Sequence, residues 1–279
     1  MNLLNRLQDP VRSLQTRDVV ITGPPRAGKT FVSLLLNKLP DTIVLNEPMW
    51  KEHFRDRGAV LSEVGLAFRD MRASLIQKGV ARAKSADEQA VALGRVGDRK
   101  RFLVRFDKPL SNGFLLAIEH SAGFTAVLPD LMKQYPCYAI IRNPLVLLAC
   151  WSRHKAPISE GYSPTVDRFD RGLSETLSNI PDLLDRQILI LSWFFEKYLS
   201  LPKESVLMYE DIVASGGRAL DVISPAASVL DEPLETRNQA ELHGWRGLKE
   251  ASQKLLVSEG TFWKFYSRES VTELVEMEA

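Results

Sequence analysis

A chain of 279 residues with 45% apolar side chains can bury the core of one large α/β domain or of two small ones. Its 36 basic and 35 acidic residues leave a net charge of +1, which argues against a general nucleic-acid binder or a polybasic membrane-surface protein, so any cationic site has to be local. The two cysteines, Cys137 and Cys150, lack C-x-x-C spacing and a histidine cluster, which argues against a zinc site or a disulfide framework and fits a reducing, cytoplasmic setting.

No apolar run approaches the ~20 residues that a spanning helix needs, so membrane insertion is not expected. Residues 1–18 lack the apolar centre of a signal peptide. They read as a short amphipathic helix ending near Pro10, either packed on the domain surface or used in targeting. The next stretch, residues 18–39, organises the chain. Val19, Val20 and Ile21 form an apolar run that Gly23, Pro24 and Pro25 end; after Lys29 and Thr30, the residues Phe31, Leu34, Leu35 and Leu39 recur at helical spacing until Pro40. Strand, tight loop and helix follow. A helix start leaves N–H groups unpaired and favours negative charge, and a glycine lets backbone approach an anion closely. Arg26 and Lys29 add positive charge and Thr30 adds a hydroxyl. Gly23-x-x-x-x-Gly28-Lys29-Thr30 therefore reads as a phosphate or sulfate cradle, and it also fits the P-loop pattern.

Residues 43–45 predict a second buried strand, ended by Asn46, Glu47 and Pro48. Glu47 at that edge can take a proton from an attacking hydroxyl, or it pairs with an arginine or caps a helix. A helix is expected over 49–83, with Arg55, Arg57, Arg69 and Arg72 on its polar side. Residues 84–101 are the candidate exposed, mobile segment, able to hold an anion or simply to be solvated. A third strand is expected over 102–107, ended by Lys108 and Pro109, then a helix over 113–120 capped by Ser111 or Asn112. His120 is one of four scattered histidines and reads as structural or as catalytic. A fourth strand over 138–141 runs into Arg142, Asn143 and Pro144, a cation followed by a good N-cap and a good first helical residue. This predicts a second anion site, and so a ligand with two separated anionic groups. Residues 153–180 are a candidate lid or acceptor loop, 181–200 a buried helix, and 206–209 a fifth strand before further helices. Strand and helix in alternation predict an α/β fold, a central mostly parallel sheet with helices on both faces.

Three segments carry a family resemblance. Pro25-Arg26-Ala27-Gly28-Lys29-Thr30 resembles the 5'-phosphosulfate loop of sulfotransferases that use 3'-phosphoadenosine 5'-phosphosulfate (PAPS). Ile140 to Pro144 with the helix after it resembles their 3'-phosphate motif, and Tyr209-Glu210-Asp211 after a strand resembles their late strand end. Asn46-Glu47-Pro48-Met49-Trp50 and Lys108-Pro109 are weaker likenesses, the former to carbohydrate sulfotransferases. The resemblance implies a P-loop-like three-layer sandwich over residues 1–279 as one domain, with no metal needed and a small-molecule or glycan-like acceptor. It implies that Pro25, Arg26, Ala27, Gly28, Lys29, Thr30, Arg142 and Cys150 bind the donor. Arg26 takes the place of the residue on the transferring group, and Arg26, Lys29 and Glu47 form the catalytic set, with Asp107 and His120 as alternative bases. Trp50, Phe54, Phe68, Tyr162 and Phe169 are the aromatic candidates for the acceptor pocket.

Two positions depart from the family pattern. Lys29 stands where serine or threonine is usual, and Cys150 stands eight residues after Arg142 where a serine is usual. They keep two alternatives open: an ATP- or GTP-dependent kinase using the Walker A match of residues 23–30, and an inactive nucleotide-binding protein of the same fold. The kinase reading lacks an apolar strand ending in a magnesium-holding aspartate, for which residues 102–107 are the candidate. The sequence sets no oligomeric state.

Overall fold

The computed structural model describes residues 17–49, 51–84 and 101–278. The expected N-terminal helix, Trp50 and all but the two ends of the 84–101 segment lie outside the described residues. Seven strands are present among them: β1 (Arg17–Thr22), β2 (Thr42–Asn46), β3 (Val80–Lys84), β4 (Arg101–Arg105), β5 (Leu115–Glu119), β6 (Cys137–Ile141) and β7 (Val206–Met208). Five form one parallel sheet in the order β2-β5-β1-β6-β7. The other two, β3 and β4, form a separate antiparallel ribbon.

Alternate residues of the parallel strands face opposite ways, as a period of two requires. Val20, Ile43, Leu45, Leu116, Ile118, Ala139 and Ile141 pack into one core with α2 (Arg57–Lys78) and the helices Pro144–Ser152 and Leu183–Tyr198. Val19, Ile21, Val44, Leu115, Ala117, Ile140 and Leu207 pack into a second core with α1 (Lys29–Lys38) and the helix Tyr209–Ala214. The result is three layers, α/β, with apolar strands buried on both faces as a parallel sheet demands. β1 lies at the centre, where the strand order reverses, and ligands in such sheets bind outside the strand ends at that crevice.

Two expectations are corrected. Residues 102–107 do not supply the third strand of the sheet: Arg101–Arg105 pairs only with Val80–Lys84. The third parallel strand is Leu115–Glu119, inside the stretch expected to be helical, and all five of its residues are buried. Such a short apolar run cannot be told from a buried helix by periodicity alone. Ser111 caps no helix; its N–H and hydroxyl donate to the Asp41 carboxylate, each at 2.7 Å. The helix expected over 49–83 is shorter. Asp56 caps its start by accepting from the Ala59 N–H, and Gly79, at a φ of 64°, ends it. Arg72 on that helix is buried rather than solvated, paired with Asp18 and donating to the Phe114 carbonyl at 2.9 Å.

Candidate functional site

The loop after β1 is held by contacts that its sequence requires. A Cβ on Gly23 would meet the Ile140 carbonyl oxygen at 2.1 Å, and one on Gly28 the Tyr209 ring at 2.7 Å; both positions have positive φ. Trp151, fully buried, donates its indole N–H to the Pro25 carbonyl at 2.8 Å. Arg26 is left-handed, at a φ of 73°, a conformation costly for a non-glycine residue and found where surrounding structure imposes it. The start of α1 has no side-chain cap and no acidic residue in its first turn. Its N–H groups therefore remain available to an anion. Nε of Arg26 is buried without a hydrogen-bond partner. Thr30, in the first turn, is half-buried.

Beside this loop lies a cluster of charges. Lys29 is 5% exposed; its ammonium donates to the Pro24 carbonyl at 2.7 Å and lies 3.8 Å from Glu119 Oε1. Burial lowers the Lys29 pKa, against the pull of Glu119 and Glu47. Glu119 ends β5, level with Ile21 and Asn46, and its carbonyl accepts from the Glu47 N–H at 2.8 Å. Glu47 is also left-handed, at a φ of 39°, and pairs with Lys84 at the end of β3. The two carboxylates are driven apart. Burial raises Glu119 to about 7, although Lys29 opposes it. Burial would raise Glu47 too, but the charges on His120, Lys84 and Lys29 outweigh it and hold Glu47 at about 2. His120 follows Glu119, donates its N–H to the Ile21 carbonyl at 3.0 Å, and sets its ring against Phe54 and Phe124. Glu47, Glu119 and His120 thus share one edge with Lys29.

Asp107 does not join them. It is exposed, and its neighbour Lys108 donates to the carbonyls of Asn37 and Leu39 at 2.7 and 2.8 Å, at the C-terminal end of α1. Ten residues of helix, about 15 Å, separate that end from the loop. Lys108-Pro109 is therefore a helix cap.

The second helix start differs from expectation. Asn143 does cap it, accepting from the Leu145 N–H at 3.0 Å. But the Asn143 N–H is taken by Glu210 Oε1 at 3.1 Å, so a carboxylate of the chain already occupies that start. What remains for a ligand is Arg142. Its guanidinium lies over the Tyr209 ring at 4.4 Å, donates through Nη1 to the Arg26 carbonyl at 3.4 Å, and leaves Nη2 buried without a partner. Cys150 Sγ is 4.0 Å from Nη1, and burial pushes its thiol up to about 11, so it stays neutral.

Of the aromatic candidates, Phe68 is core, packed on Tyr135, and Phe54 is buried against His120. Tyr162 is exposed, in a segment where 153–180 folds as short helices, Pro164–Phe169 and Arg171–Ser178 among them. Sequence reasoning missed Glu119 and Lys84. Glu119 carried a usable signal, the apolar run Leu115 to Ile118 broken by a carboxylate; Lys84 carried none, because it depends on a ribbon whose strands are 16 residues apart.

No family model matches the chain, and no curated protein matches it. Among solved structures, it is similar to the sulfotransferase domain of the olefin synthase from Synechococcus PCC 7002, at 13% identity and a TM-score of 0.38 over 94% of each chain. It is also similar to sulfotransferase STF9 from Mycobacterium avium, at 15% identity and a TM-score of 0.35 over 97% of this chain and 77% of that one. At these values neither supports a residue-by-residue correspondence. Among the described residues, no helix is long and apolar enough to cross a membrane.

Proposed function

We propose that this chain transfers a sulfuryl group from PAPS to a hydroxyl or amine of a small-molecule or carbohydrate-like acceptor. One observation carries this reading. Two arginines at the ends of adjacent strands, Arg26 after β1 and Arg142 after β6, each keep a buried guanidinium N–H without a partner. A donor with a phosphosulfate and a separate phosphate supplies one anion to each, and charge-assisted bonds of this kind are the strong ones.

In this reading the N–H groups at the start of α1, with Arg26, Lys29 and Thr30, hold the phosphosulfate end, and Arg142 holds the other phosphate with Cys150 beside it. When bound, the donor supplies an activated sulfuryl group whose leaving phosphate gains charge as transfer proceeds. Arg26 and the fixed N–H donors stabilise that charge, an effect worth about 3 kcal/mol per donor at comparable sites. Glu119 rather than Glu47 takes the acceptor's proton. A general base works best with a pKa near the operating pH, and about 7 meets that where about 2 does not. Glu47 stays charged and balances Lys84 and Lys29.

A second reading has its own support. Glu119 ends an apolar strand beside β1 and lies 3.8 Å from Lys29, which is where a P-loop kinase keeps the carboxylate that holds magnesium. Thermal unfolding with adenosine 3',5'-bisphosphate, ADP, and ADP with magnesium separates the two. At a hundred times the dissociation constant a ligand adds about 2.7 kcal/mol, a shift of a few degrees for a chain of this size. A shift with the bisphosphate, without magnesium, is expected. A shift only with ADP and magnesium would transfer the assignment to the kinase. No shift with any of the three would mean a protein that binds neither donor.

A further inference from the structure

Arg142 is as deeply buried as Lys29, and one residue that holds it, Asn238, belongs to none of the motifs above. Its Nε donates to Asn238 Oδ1 at 2.8 Å. The Asn238 amide in turn donates through Nδ2 to Glu210 Oε1 at 2.8 Å. Glu210 is itself fixed, its Oε1 accepting from the Asn143 N–H and its Oε2 from the Tyr266 hydroxyl at 2.8 Å. Asn238 is buried, at the start of the short helix Asn238–Leu242, 96 residues from Arg142.

The chemistry of this chain of bonds is directional. An ionised carboxylate only accepts, so Glu210 fixes the Asn238 amide with its NH2 toward itself and its oxygen toward Arg142. A guanidinium is planar and offers its five N–H groups in a rigid fork. With Nε on Asn238, Nη1 on the Arg26 carbonyl and one face on Tyr209, the plane cannot turn, and Nη2 is the edge left over. A buried guanidinium N–H without a partner is expensive, and an anion against it removes that cost. Without Asn238, Nε would be left unpaired and the fork free to tilt toward Glu210.

We propose that Asn238 is a positioning residue, which orients Arg142 so that Nη2 meets the second anionic group of an adenosine-type donor. The inference rests on the two-anion reading given above and adds to it the residue that sets the preference for the second phosphate.

The test is calorimetric titration of the full chain with adenosine 3',5'-bisphosphate and with adenosine 5'-monophosphate, which lacks the second anion. Wild type should prefer the bisphosphate, and Arg142→Ala should erase that preference. Asn238→Ala should weaken bisphosphate binding about tenfold, the worth of one hydrogen bond to a charged group, and monophosphate binding by under about twofold. In Arg142→Ala the further change Asn238→Ala should cost nothing more. A purely structural role would weaken both ligands alike, and that result, or an unchanged ratio, overturns the proposal. Asn238→Asp is the second variant, in case the alanine does not fold. It keeps the side chain's size but sets an acceptor against the Glu210 carboxylate and pairs Arg142 with a charge that competes with a bound phosphate, so it should lose the preference for the bisphosphate while monophosphate binding changes by under about twofold, and an unchanged preference in a folded protein overturns the proposal. If wild type itself shows no preference, the two-anion donor fails instead.

Discussion

The helix after β1 and the helix after β6 start from adjacent strands of one sheet, at the same edge, and are finished in opposite ways. The first has no side-chain cap and no acid in its first turn, and it carries Arg26 and Lys29 at its mouth. The second has a capping Asn143, and its first N–H is bonded to Glu210. A strand end, a turn and a helix start therefore make an anion site only where the chain does not supply the anion itself. At the second start the chain does supply it, and only the buried Arg142 is left for a ligand. The contrast extends to proton chemistry: Lys29, Glu47 and Glu119 surround the open start, whereas the carboxylate at the closed start spends its two oxygens on Asn143, Asn238 and Tyr266.

The largest expected effect belongs to the open start. Glu119 in the folded chain sits at about 7, against roughly 4.3 when unfolded. If it accepts the acceptor's proton, turnover should rise as pH passes through about 7, and Glu119→Gln should lose that limb along with about 10²- to 10⁴-fold in rate. Stability moves the other way. A raised carboxyl binds more protons folded than unfolded, so wild type should lose stability as pH rises between those two values, and Glu119→Gln should flatten the trend. Glu47 is lowered to about 2, so its contribution is complete above roughly 4.3 and is lost only as pH falls toward 2. Glu47→Gln should keep a limb but move it to lower pH, because the Glu47 charge helps to raise Glu119. A limb that vanishes in Glu47→Gln and survives in Glu119→Gln would return the role of base to Glu47.

How much of this was legible in sequence follows from range. The loop 23–30, the strand before it and the helix after it are local, and pattern alone located them within a residue or two. The strand at 206–208 and the helix at 183–198 were legible for the same reason. Leu115–Glu119 was not, because a central parallel strand is apolar on both faces and loses the alternation that marks a strand. Misreading it as helix hid Glu119 and put Asp107 in its place. Arg142 was found from the turn after its strand, and Glu210 within Tyr209-Glu210-Asp211, but the bond from the Asn143 N–H to Glu210, across 67 residues, is a tertiary fact with no local trace.

A smaller effect should come from opening the closed start. Glu210→Gln keeps the side chain's shape and removes its charge, leaving one oxygen to serve Asn143, Asn238 and Tyr266 where two served before. Denaturant unfolding should show a loss of about 1.5–3 kcal/mol, the range for hydrogen bonds to a charged group. The start of that helix should then behave more like the first, and inorganic phosphate should stabilise the variant more than it stabilises wild type. Equal stabilisation of both would mean that Glu210 is not what closes it.

Cys150→Ser should have the smallest effect and bears on the same contrast from the ligand's side. The thiol sits 4.0 Å from Arg142 Nη1, and a thiol is a weak donor where a hydroxyl is a good one. The residue is buried, but its thiol already has the Glu241 carboxylate as a hydrogen-bond acceptor, so a serine hydroxyl there has a partner at hand. In the free protein the unfolding free energy should therefore stay within about 1 kcal/mol of wild type. With adenosine 3',5'-bisphosphate bound, the hydroxyl can turn to the second phosphate if that lies against Arg142, so binding should tighten, by up to about 1 kcal/mol or roughly fivefold. Adenosine 5'-monophosphate should bind no better than before. A serine that leaves both ligands unchanged would place the second anion away from Cys150, and Arg142 would then meet it from the side of Arg26 alone.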